Sequence, residues 1–206
     1  MQWYLEEIAR LEQLAVAPTK TRPRVAFYGS STFTRWPDLA GAFPQVEALN
    51  LGFGGSTLAA CAWFFERLVP PRQPDALLLY AGDNDLGDGR TPEEVVLFYD
   101  HLLASVRATL GTIPLCFVSI KLSPARQHLR AGIEYANACI RQRIAAAGPS
   151  CSYLDINAPM LDGRDSPPLA LFEADGLHLS PAGYAVWQRA LGPELDRLFP
   201  PPSRPA

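Results

Sequence analysis

Four short polar clusters hold the side chains of this 206-residue chain that are best suited to chemistry. They are residues 29–32 (Gly-Ser-Ser-Thr), 50–56 (Asn-Leu-Gly-Phe-Gly-Gly-Ser), 82–85 (Gly-Asp-Asn-Asp) and 175–178 (Asp-Gly-Leu-His). Together they supply a serine hydroxyl, an imidazole with a nearby carboxylate, and several N–H donors. Nucleophilic acyl transfer needs these groups: a nucleophile, an oriented base, and donors for a developing oxyanion.

The joint pattern predicts a serine hydrolase. A serine hydroxyl at the first strand–helix junction can act as the nucleophile, and His178 is the one histidine on a predicted strand-end loop. Asp175 lies three residues before His178 and can fix the tautomer of its imidazole. The backbone N–H groups of Ser31 and Gly55 and the side-chain amide of Asn84 are donors of the kind that stabilise an oxyanion.

Each cluster also has a purely structural interpretation. The Gly-Ser-Ser turn can provide a helix N-cap, and Gly-Phe-Gly-Gly and Asp-Gly can be ordinary turns. The second cluster does not match the dinucleotide fingerprint, because Thr57 occupies the third glycine position, and it lacks the Gly-Lys-Ser/Thr of a phosphate loop. Asp83 and Asp85 can form an Asx turn or, with Asp88, a magnesium site.

In their order along the chain, the four clusters resemble the sequence blocks of the SGNH (GDSL-type) hydrolases, over nearly the whole sequence. By motif position, the resemblance implies a nucleophile at Ser31, oxyanion-hole contributors at Gly55 and Asn84, and triad partners at Asp175 and His178. Ser30 stands where the name-giving motif has aspartate, so this is a Gly-Ser-Ser variant. The resemblance implies a small-molecule ester substrate and neither a cofactor nor a metal ion.

The elements that must position these clusters follow from hydrophobic periodicity. Short apolar runs predict strands at residues 24–29, 46–51, 75–81, 113–120 and 151–156. Helical patterns cover residues 2–15, 56–69 and 129–144, and two more helices begin at Thr91-Pro92 and Ser180-Pro181. This alternation is typical of βαβ units and a parallel sheet.

We therefore expect an α/β fold: a three-layer α/β/α sandwich around a mostly parallel, flavodoxin-like sheet of about five strands in the order 2-1-3-4-5. Ligands bind at the carboxyl ends of the strands in such a sheet, which is where all four clusters fall. One SGNH-hydrolase-like domain with an N-terminal helix is predicted over residues 1–199. A proline-rich tail follows over residues 200–206.

Composition helps to exclude several classes of protein, including nucleic-acid-binding and membrane proteins. The formal net charge is −3 and apolar residues make up 48%, which favours a globular protein without the basic surface that nucleic acid requires. No apolar run is long enough to predict membrane insertion, and the N-terminus does not resemble a signal peptide, so we expect a cytoplasmic protein. The four cysteines have no CxxC spacing and are expected to be free, mostly buried thiols.

The sequence thus predicts a metal-independent serine esterase that cleaves short-chain carboxylic esters through an acyl-enzyme. Short strand-end loops leave no room for a large lid, and the irregular stretch at residues 158–174 is expected to shape the mouth of the site. Phe33 and Phe53 are candidates for a small acyl pocket or for the core. Alternatives within the family are a lysophospholipase, a thioesterase, a carbohydrate deacetylase or an acyltransferase. Alternatives of another class are a non-catalytic flavodoxin-like binding domain and a magnesium-dependent phosphohydrolase.

Overall fold

A five-stranded parallel sheet lies at the centre of the computed structural model, which describes residues 1–15 and 20–200. The strands are β1 (Arg24–Gly29), β2 (Glu47–Gly52), β3 (Ala76–Tyr80), β4 (Leu115–Val118) and β5 (Cys151–Leu154). Their order is β2-β1-β3-β4-β5, and every neighbouring pair is parallel. The predicted α/β class and 2-1-3-4-5 strand order are confirmed.

Helices cover both faces of the sheet. They are α1 (Leu5–Glu12), α2 (Ser31–Thr34), α3 (Leu39–Ala42), α4 (Leu58–Leu68), α5 (Asp83–Gly87), α6 (Pro92–Leu110), α7 (Arg130–Ala146), α8 (Asn157–Leu161) and α9 (Pro181–Leu198), with 3₁₀ helices at Gln2–Tyr4, Pro70–Arg72, Pro124–Leu129 and Leu169–Leu171. Helices α1, α4, α6 and α7 pack on one face, and α2, α3, α8 and α9 pack on the other. No helix in the described ranges is long and apolar enough to cross a lipid bilayer.

Strand composition explains why both faces are covered. In β3, Leu77 and Leu79 join one core, whereas Ala76, Leu78 and Tyr80 join the core on the opposite face. Successive side chains of a strand point to opposite faces, so a strand buried on both sides is apolar at every position. The uninterrupted apolar run of β3 therefore places it in the middle of three layers.

The predicted start of α6 is confirmed in detail. The Thr91 hydroxyl accepts a hydrogen bond from the Glu94 N–H at 3.3 Å, and the Glu94 carboxylate accepts one from the Thr91 N–H at 2.8 Å. Pro92 occupies the first helical position, where no intrahelical N–H bond is required. This reciprocal capping box satisfies two of the N–H groups that a helix start leaves unpaired.

Some sequence-based expectations need correction or stay open. Residues 158–174 are not a continuous irregular stretch, because α8 extends to Leu161 and a 3₁₀ turn covers Leu169–Leu171. Helices α2, α3 and α5 were not predicted, since four or five residues are too short to display helical periodicity. The four cysteines are free, as predicted. The domain boundary at residue 199 stays a prediction, and residues 201–206 of the predicted tail lie outside the described residues.

Candidate active site

The predicted site residues lie on loops and helix starts at the carboxyl edge of the sheet. Ser31 is the first residue of α2, directly after β1, and Gly55 follows β2. Asn84 lies in α5, directly after β3. Asp175 and His178 lie on the loop that leads into α9. The four sequence clusters therefore meet at the edge where parallel α/β sheets bind ligands.

The turn after β1 decides which serine is accessible. Gly29 has a φ of +141°, and a Cβ atom there would lie 1.8 Å from the carbonyl oxygen of Tyr80, so only glycine fits. The Ser30 N–H donates to that same oxygen at 2.9 Å, and Ser30 is only 1% exposed. Ser31 is half-buried. Of the two serines, Ser31 is the one whose hydroxyl a substrate can reach.

Asn50, at the end of β2, fixes the short helix that carries Ser31. Its amide nitrogen donates to the carbonyl oxygen of Phe33 at 2.6 Å, and its amide oxygen accepts from the Gly52 N–H at 3.1 Å. A helix of four residues has too few internal hydrogen bonds to hold its own position. The side chain of Asn50 supplies an external anchor.

The glycine loop after β2 is held by the N-terminal helix. Gly55 has a φ of +66°, a conformation that favours glycine. The Tyr4 hydroxyl donates to the Gly55 carbonyl oxygen at 2.9 Å, and the Glu7 carboxylate accepts from the Gly54 N–H at 2.8 Å. These two hydrogen bonds fix the orientation of the Gly54–Gly55 backbone. This orientation is therefore set by α1 and by the turn before it.

The side-chain amide of Asn84 is oriented by two partners. Its nitrogen donates to the Ser56 carbonyl oxygen at 3.1 Å, and its oxygen accepts from the Arg126 guanidinium at 2.9 Å. A guanidinium only donates and a carbonyl only accepts, so the flipped amide would oppose both contacts. The second N–H of the amide is left for another acceptor.

A buried ionic cluster lies beside Asn84. Asp83 accepts from the ammonium group of Lys121 at 3.0 Å and from the Tyr80 hydroxyl at 3.3 Å, and it pairs with Arg126 at 3.3 Å. Burial would raise the pKa of Asp83, but Lys121 and Arg126 outweigh it and hold that pKa below its usual range. The two cations balance a carboxylate that is otherwise costly to bury. Arg126 thereby joins this cluster to Asn84.

Asp85 faces the neighbouring helix. One of its carboxylate oxygens accepts from the Leu58 N–H at 2.7 Å, and the other lies 3.6 Å from the Arg90 guanidinium. Asp83 and Asp85 thus turn to different protein partners, and Asp88 is exposed. Within residues 1–15 and 20–200, no group of three or more His, Cys, Asp or Glu side chains is placed to hold a metal ion. The arrangement gives no support to the magnesium alternative.

Asp175 and His178 form a hydrogen-bonded pair. The Nδ1 atom of His178 lies 2.6 Å from one carboxylate oxygen of Asp175. The other oxygen accepts from the N–H groups of Leu177 and His178, both at 2.9 Å. The hydrogen bond from His178 is the largest of the effects that hold the pKa of Asp175 well below its usual range. A carboxylate on Nδ1 fixes the tautomer in which Nε2 carries the free lone pair.

Two contacts tie the Asp175–His178 loop to the rest of the site. Ala125 directly precedes Arg126 in the sequence, and its N–H donates to the Gly176 carbonyl oxygen at 3.1 Å. Tyr184 lies near the start of α9, and its hydroxyl donates to the carbonyl oxygen of Thr32 at 3.0 Å. Thr32 is the residue that follows Ser31. The loop is therefore anchored to both the α2 side and the Asn84 side of the sheet edge.

A cleft of about 870 Å³ opens beside His178, and we call it the His178 cleft. It runs between the segment around α3 and the start of α9, and its lining includes Arg35, Trp36, Asp38, Glu173, Asp175, His178, Tyr184 and Gln188. Ser31 is not among the lining residues. Among the described residues, no hydrogen bond joins the Ser31 hydroxyl to His178. The structure brings their loops together without this final contact.

Sequence reasoning missed several residues that support the site: Tyr4, Glu7, Asn50, Lys121 and Arg126. Lys121 carried a signal, because it is a charged residue directly after an apolar strand run at the ligand-binding edge. Tyr4, Glu7 and Arg126 act on partners 51, 47 and 42 residues away, which no local pattern reveals. Phe33 and Phe53 are fully buried in the cores, so their expected role in an acyl pocket is not supported.

Solved structures share the fold over most of the chain. A Streptococcus pneumonia protein provisionally described as a platelet activating factor is 20% identical, with a TM-score of 0.79 over 96% of this chain and 95% of that one. A GDSL-like lipase from Bacteroides thetaiotaomicron is 20% identical, with a TM-score of 0.74 over 96% and 98%. A carbohydrate esterase family 3 protein from Talaromyces cellulolyticus is 18% identical, with a TM-score of 0.70 over 85% and 97%.

Sequence comparison gives the family. No curated protein matches the chain. The model of the GDSL-like lipase/acylhydrolase family matches residues 19–186, which include the five strands and every predicted site residue. The match is independent of the local geometry described above, and it agrees with the three-layer fold. The chain therefore belongs to the GDSL-like lipase/acylhydrolase family and is an ester hydrolase.

Proposed function

We propose that this ester hydrolase is a serine esterase that uses Ser31, His178 and Asp175 to cleave short-chain carboxylic esters through an acyl-enzyme. The observation that carries the proposal is the 2.6 Å contact between His178 and Asp175 at the sheet edge that also bears Ser31. A histidine oriented by a carboxylate, near an accessible serine, is the arrangement that activates a hydroxyl for acyl transfer.

In the first half-reaction, the Ser31 oxygen bonds to the ester carbonyl carbon while His178 Nε2 takes the hydroxyl proton. Asp175 stabilises the resulting imidazolium through Nδ1. Collapse of the tetrahedral intermediate breaks the bond to the leaving-group oxygen, which receives the proton from Nε2. The alcohol departs and Ser31 carries the acyl group. Contacts between a nucleophile and its base often tighten only when substrate is bound.

The second half-reaction repeats these steps with water. His178 Nε2 takes a proton from water, whose oxygen bonds to the acyl carbon, and the intermediate releases the carboxylic acid and restores the Ser31 hydroxyl. Only the neutral imidazole can accept a proton, so each half-reaction begins with His178 in its neutral form.

Both tetrahedral intermediates carry a negative oxygen that needs donors. We assign these donors to the backbone N–H groups of Ser31 and Gly55 and to the second N–H of the Asn84 amide. The fixed orientations of the Gly55 loop and of Asn84 support this assignment, because preorganised donors stabilise the transition state without reorganising.

The His178 cleft is the proposed site of the leaving group. Because His178 protonates the leaving oxygen, the alcohol part of the ester must lie on the histidine's side. Arg35, Asp38, Glu173 and Gln188 are exposed there, beside the buried Trp36. These side chains can hydrogen-bond the hydroxyls of an alcohol, while apolar lining residues such as Leu179 and Pro181 can contact its carbon atoms.

Deacetylation of carbohydrates is a second candidate, which the same lining favours. The charged and amide side chains of the lining can donate to and accept from the hydroxyls of a sugar ring. The similar Talaromyces cellulolyticus structure is described as a carbohydrate esterase. A comparison of acetylated glycosides with simple alkyl acetates separates the two candidates.

The test of the proposed chemistry is a matched pair of serine variants. Ser31→Ala should remove p-nitrophenyl acetate hydrolysis and fluorophosphonate labelling, while Ser30→Ala should keep both. EDTA should leave wild-type activity unchanged. If Ser31→Ala labels normally and Ser30→Ala does not, the register of the nucleophile is wrong. Activity that disappears in EDTA would contradict the metal-independent mechanism.

A further inference from the structure

The N-terminal residues form one flank of the candidate site. Tyr4 and Glu7 hold the backbone of Gly54 and Gly55, as described above, and Trp3 reaches the same loop. A Cβ atom on Gly55 would lie 3.0 Å and 3.3 Å from two ring carbons of Trp3. The indole therefore lies against the residue whose N–H is assigned to the oxyanion hole.

Trp3 is positioned but not buried. Its ring stacks on Tyr4 with 3.9 Å between ring centroids, yet 68% of the residue is exposed. Tyr4 in turn packs edge-on against Phe53 in the core. An indole needed only for packing would bury most of its surface, since exposed aromatic area contributes little to stability. Trp3 instead keeps apolar surface available beside the site.

The fold places Trp3 and His178 on opposite flanks of Ser31. Tyr4 belongs to the core on the α1 face of the sheet, whereas Leu179, next to His178, belongs to the core on the α9 face. The tetrahedral carbon formed on Ser31 carries two further substituents besides the serine and oxyanion oxygens. The leaving oxygen faces His178 and the oxyanion faces its donors, so the acyl substituent takes the remaining direction, away from His178.

We propose that Trp3 is the wall of an acyl subsite, and that its exposed indole binds the alkyl part of the substrate's acyl group. This inference rests on the proposed function, because it uses Ser31 as the acylated residue. It explains why an exposed tryptophan lies against Gly55, on a segment that Tyr4 and Glu7 fasten to the same loop by hydrogen bonds. It also gives the 3₁₀ helix Gln2–Tyr4, which lies outside the matched residues 19–186, a role in substrate selection.

The expected effect follows from the apolar area that one ring can cover. A fully buried methylene is worth about 0.8 kcal/mol, or about fourfold in kcat/KM, and contact with a single ring face should give about twofold. Hexanoate has four more methylenes than acetate. The ratio of kcat/KM for the two esters should therefore fall about 16-fold when the indole is removed.

The experiment compares soluble p-nitrophenyl acetate, butyrate and hexanoate, below their aggregation limits, in wild type, Trp3→Ala, Trp3→Phe and Trp63→Ala. Trp63 is the matched control, because it is 69% exposed and lies on the outer side of α4. Trp3→Ala should lower the hexanoate-to-acetate ratio, Trp3→Phe should retain most of it, and Trp63→Ala should leave it unchanged. An equal loss on all three esters would mean that Trp3 only supports the loop, which overturns the proposal. An unchanged hexanoate-to-acetate ratio in Trp3→Ala would overturn it as well.

A second measurement does not depend on activity. In Ser31→Ala labelled with ¹⁵N, hexanoate should shift the indole N–H signal of Trp3 much more than acetate does, and leave that of Trp63 in place. An unmoved Trp3 signal overturns the acyl subsite. Absence of wild-type hydrolysis and labelling would instead contradict the proposed function, so the two failures are distinguishable.

Discussion

The carboxylate of Asp175 accepts hydrogen bonds on both oxygens, from the His178 ring and from two backbone N–H groups. Asp175→Asn should preserve the loop, because the amide oxygen can still accept from the backbone. The amide nitrogen would then face His178 Nδ1 as a donor and select the tautomer that leaves no lone pair on Nε2. We expect kcat to fall by about 10²–10⁴-fold with little change in the melting temperature. Near-normal kcat would show that Asp175 does not orient the base.

Arg126 is expected to act through Asn84. Asn84→Ala should lower kcat by about 10²–10³-fold with little change in KM, the scale of a lost oxyanion donor. Arg126→Met removes the donor that fixes the amide oxygen, so it should lower kcat in the same way but less, by about tenfold. Arg126→Lys, which keeps a donor, should restore part of the loss.

The Asn84→Ala, Arg126→Met double variant decides whether the two residues act together. If Arg126 only positions the amide, adding Arg126→Met to Asn84→Ala should cost little further activity, since coupled residues are not additive. Fully multiplicative losses, or a change confined to KM, would contradict a positioning role.

At the scale of single residues, the sequence was most informative where the chemistry is local. Asp175 and His178 are three positions apart, and a single loop brings them together. Arg126 and Asn84 meet only because the segment after β4 folds over α5. That contact depends on tertiary structure, and the sequence around Arg126 has no distinctive pattern. The supporting residues were therefore the unpredicted part of the site.

At the scale of elements, Asp85 links α5 to the start of α4. It accepts from the first N–H of α4, at Leu58, and burial is the largest effect that raises its pKa to about 6. An unfolded aspartate has a pKa of about 3.9. Between these values, the native state keeps a proton that the unfolded state releases. The native state therefore loses about 2–3 kcal/mol of stability from this group as the pH rises from about 4 to above 6.

Asp85→Asn should remove this pH-dependent loss, because the amide does not titrate and its oxygen can still accept from Leu58. Urea unfolding of both proteins at pH 4, 5.5 and 7 measures the difference. The free energy of unfolding of Asp85→Asn should increase relative to that of wild type as the pH rises. Parallel pH dependences in the two proteins would show that Asp85 does not titrate in this window.

The elements themselves were predictable in proportion to their length. Strand β1 matches its prediction residue for residue, and the long helix α6 begins at its predicted capping box. The short helices α2 and α5, which carry Ser31 and Asn84, were not predicted. Each is fixed by contacts from elsewhere, such as the Asn50 bond to the α2 backbone, and these contacts arise only after the strands align.

At the scale of the whole molecule, the alternation of elements was enough to predict three layers and a parallel sheet. The strand order was the less secure part, because a βαβ pattern fixes the handedness of each crossover but not which edge the next strand joins. The fold resolves this choice by placing β1 and β3 side by side. Their carboxyl ends then lie close enough for the Ser30 N–H to bond to Tyr80.

The core on the α9 face packs against the turn that carries Ser31, and Trp187 is its largest fully buried side chain. Trp187 is fully buried, packs edge-on against Tyr80 at 4.9 Å and Phe33 at 6.3 Å between ring centroids, and donates its indole N–H to the Met160 sulfur at 3.3 Å. Trp187→Ala removes these contacts and leaves a cavity, which should cost about 3–5 kcal/mol of unfolding free energy. In a domain of this size, that loss lowers the melting temperature by about 6–20 °C.

Thermal unfolding followed by near-ultraviolet circular dichroism tests this expectation against a matched exposed tryptophan. Trp63→Ala should change stability by no more than about 0.5 kcal/mol, because Trp63 is mostly exposed. Trp187→Phe should fall between the two, since it keeps an aromatic ring but loses volume and the bond to sulfur. Equal shifts for Trp187→Ala and Trp63→Ala would contradict a tightly packed α9 face. A large shift confined to the Trp187 variants would support the tight packing of this ring against Tyr80 and Phe33.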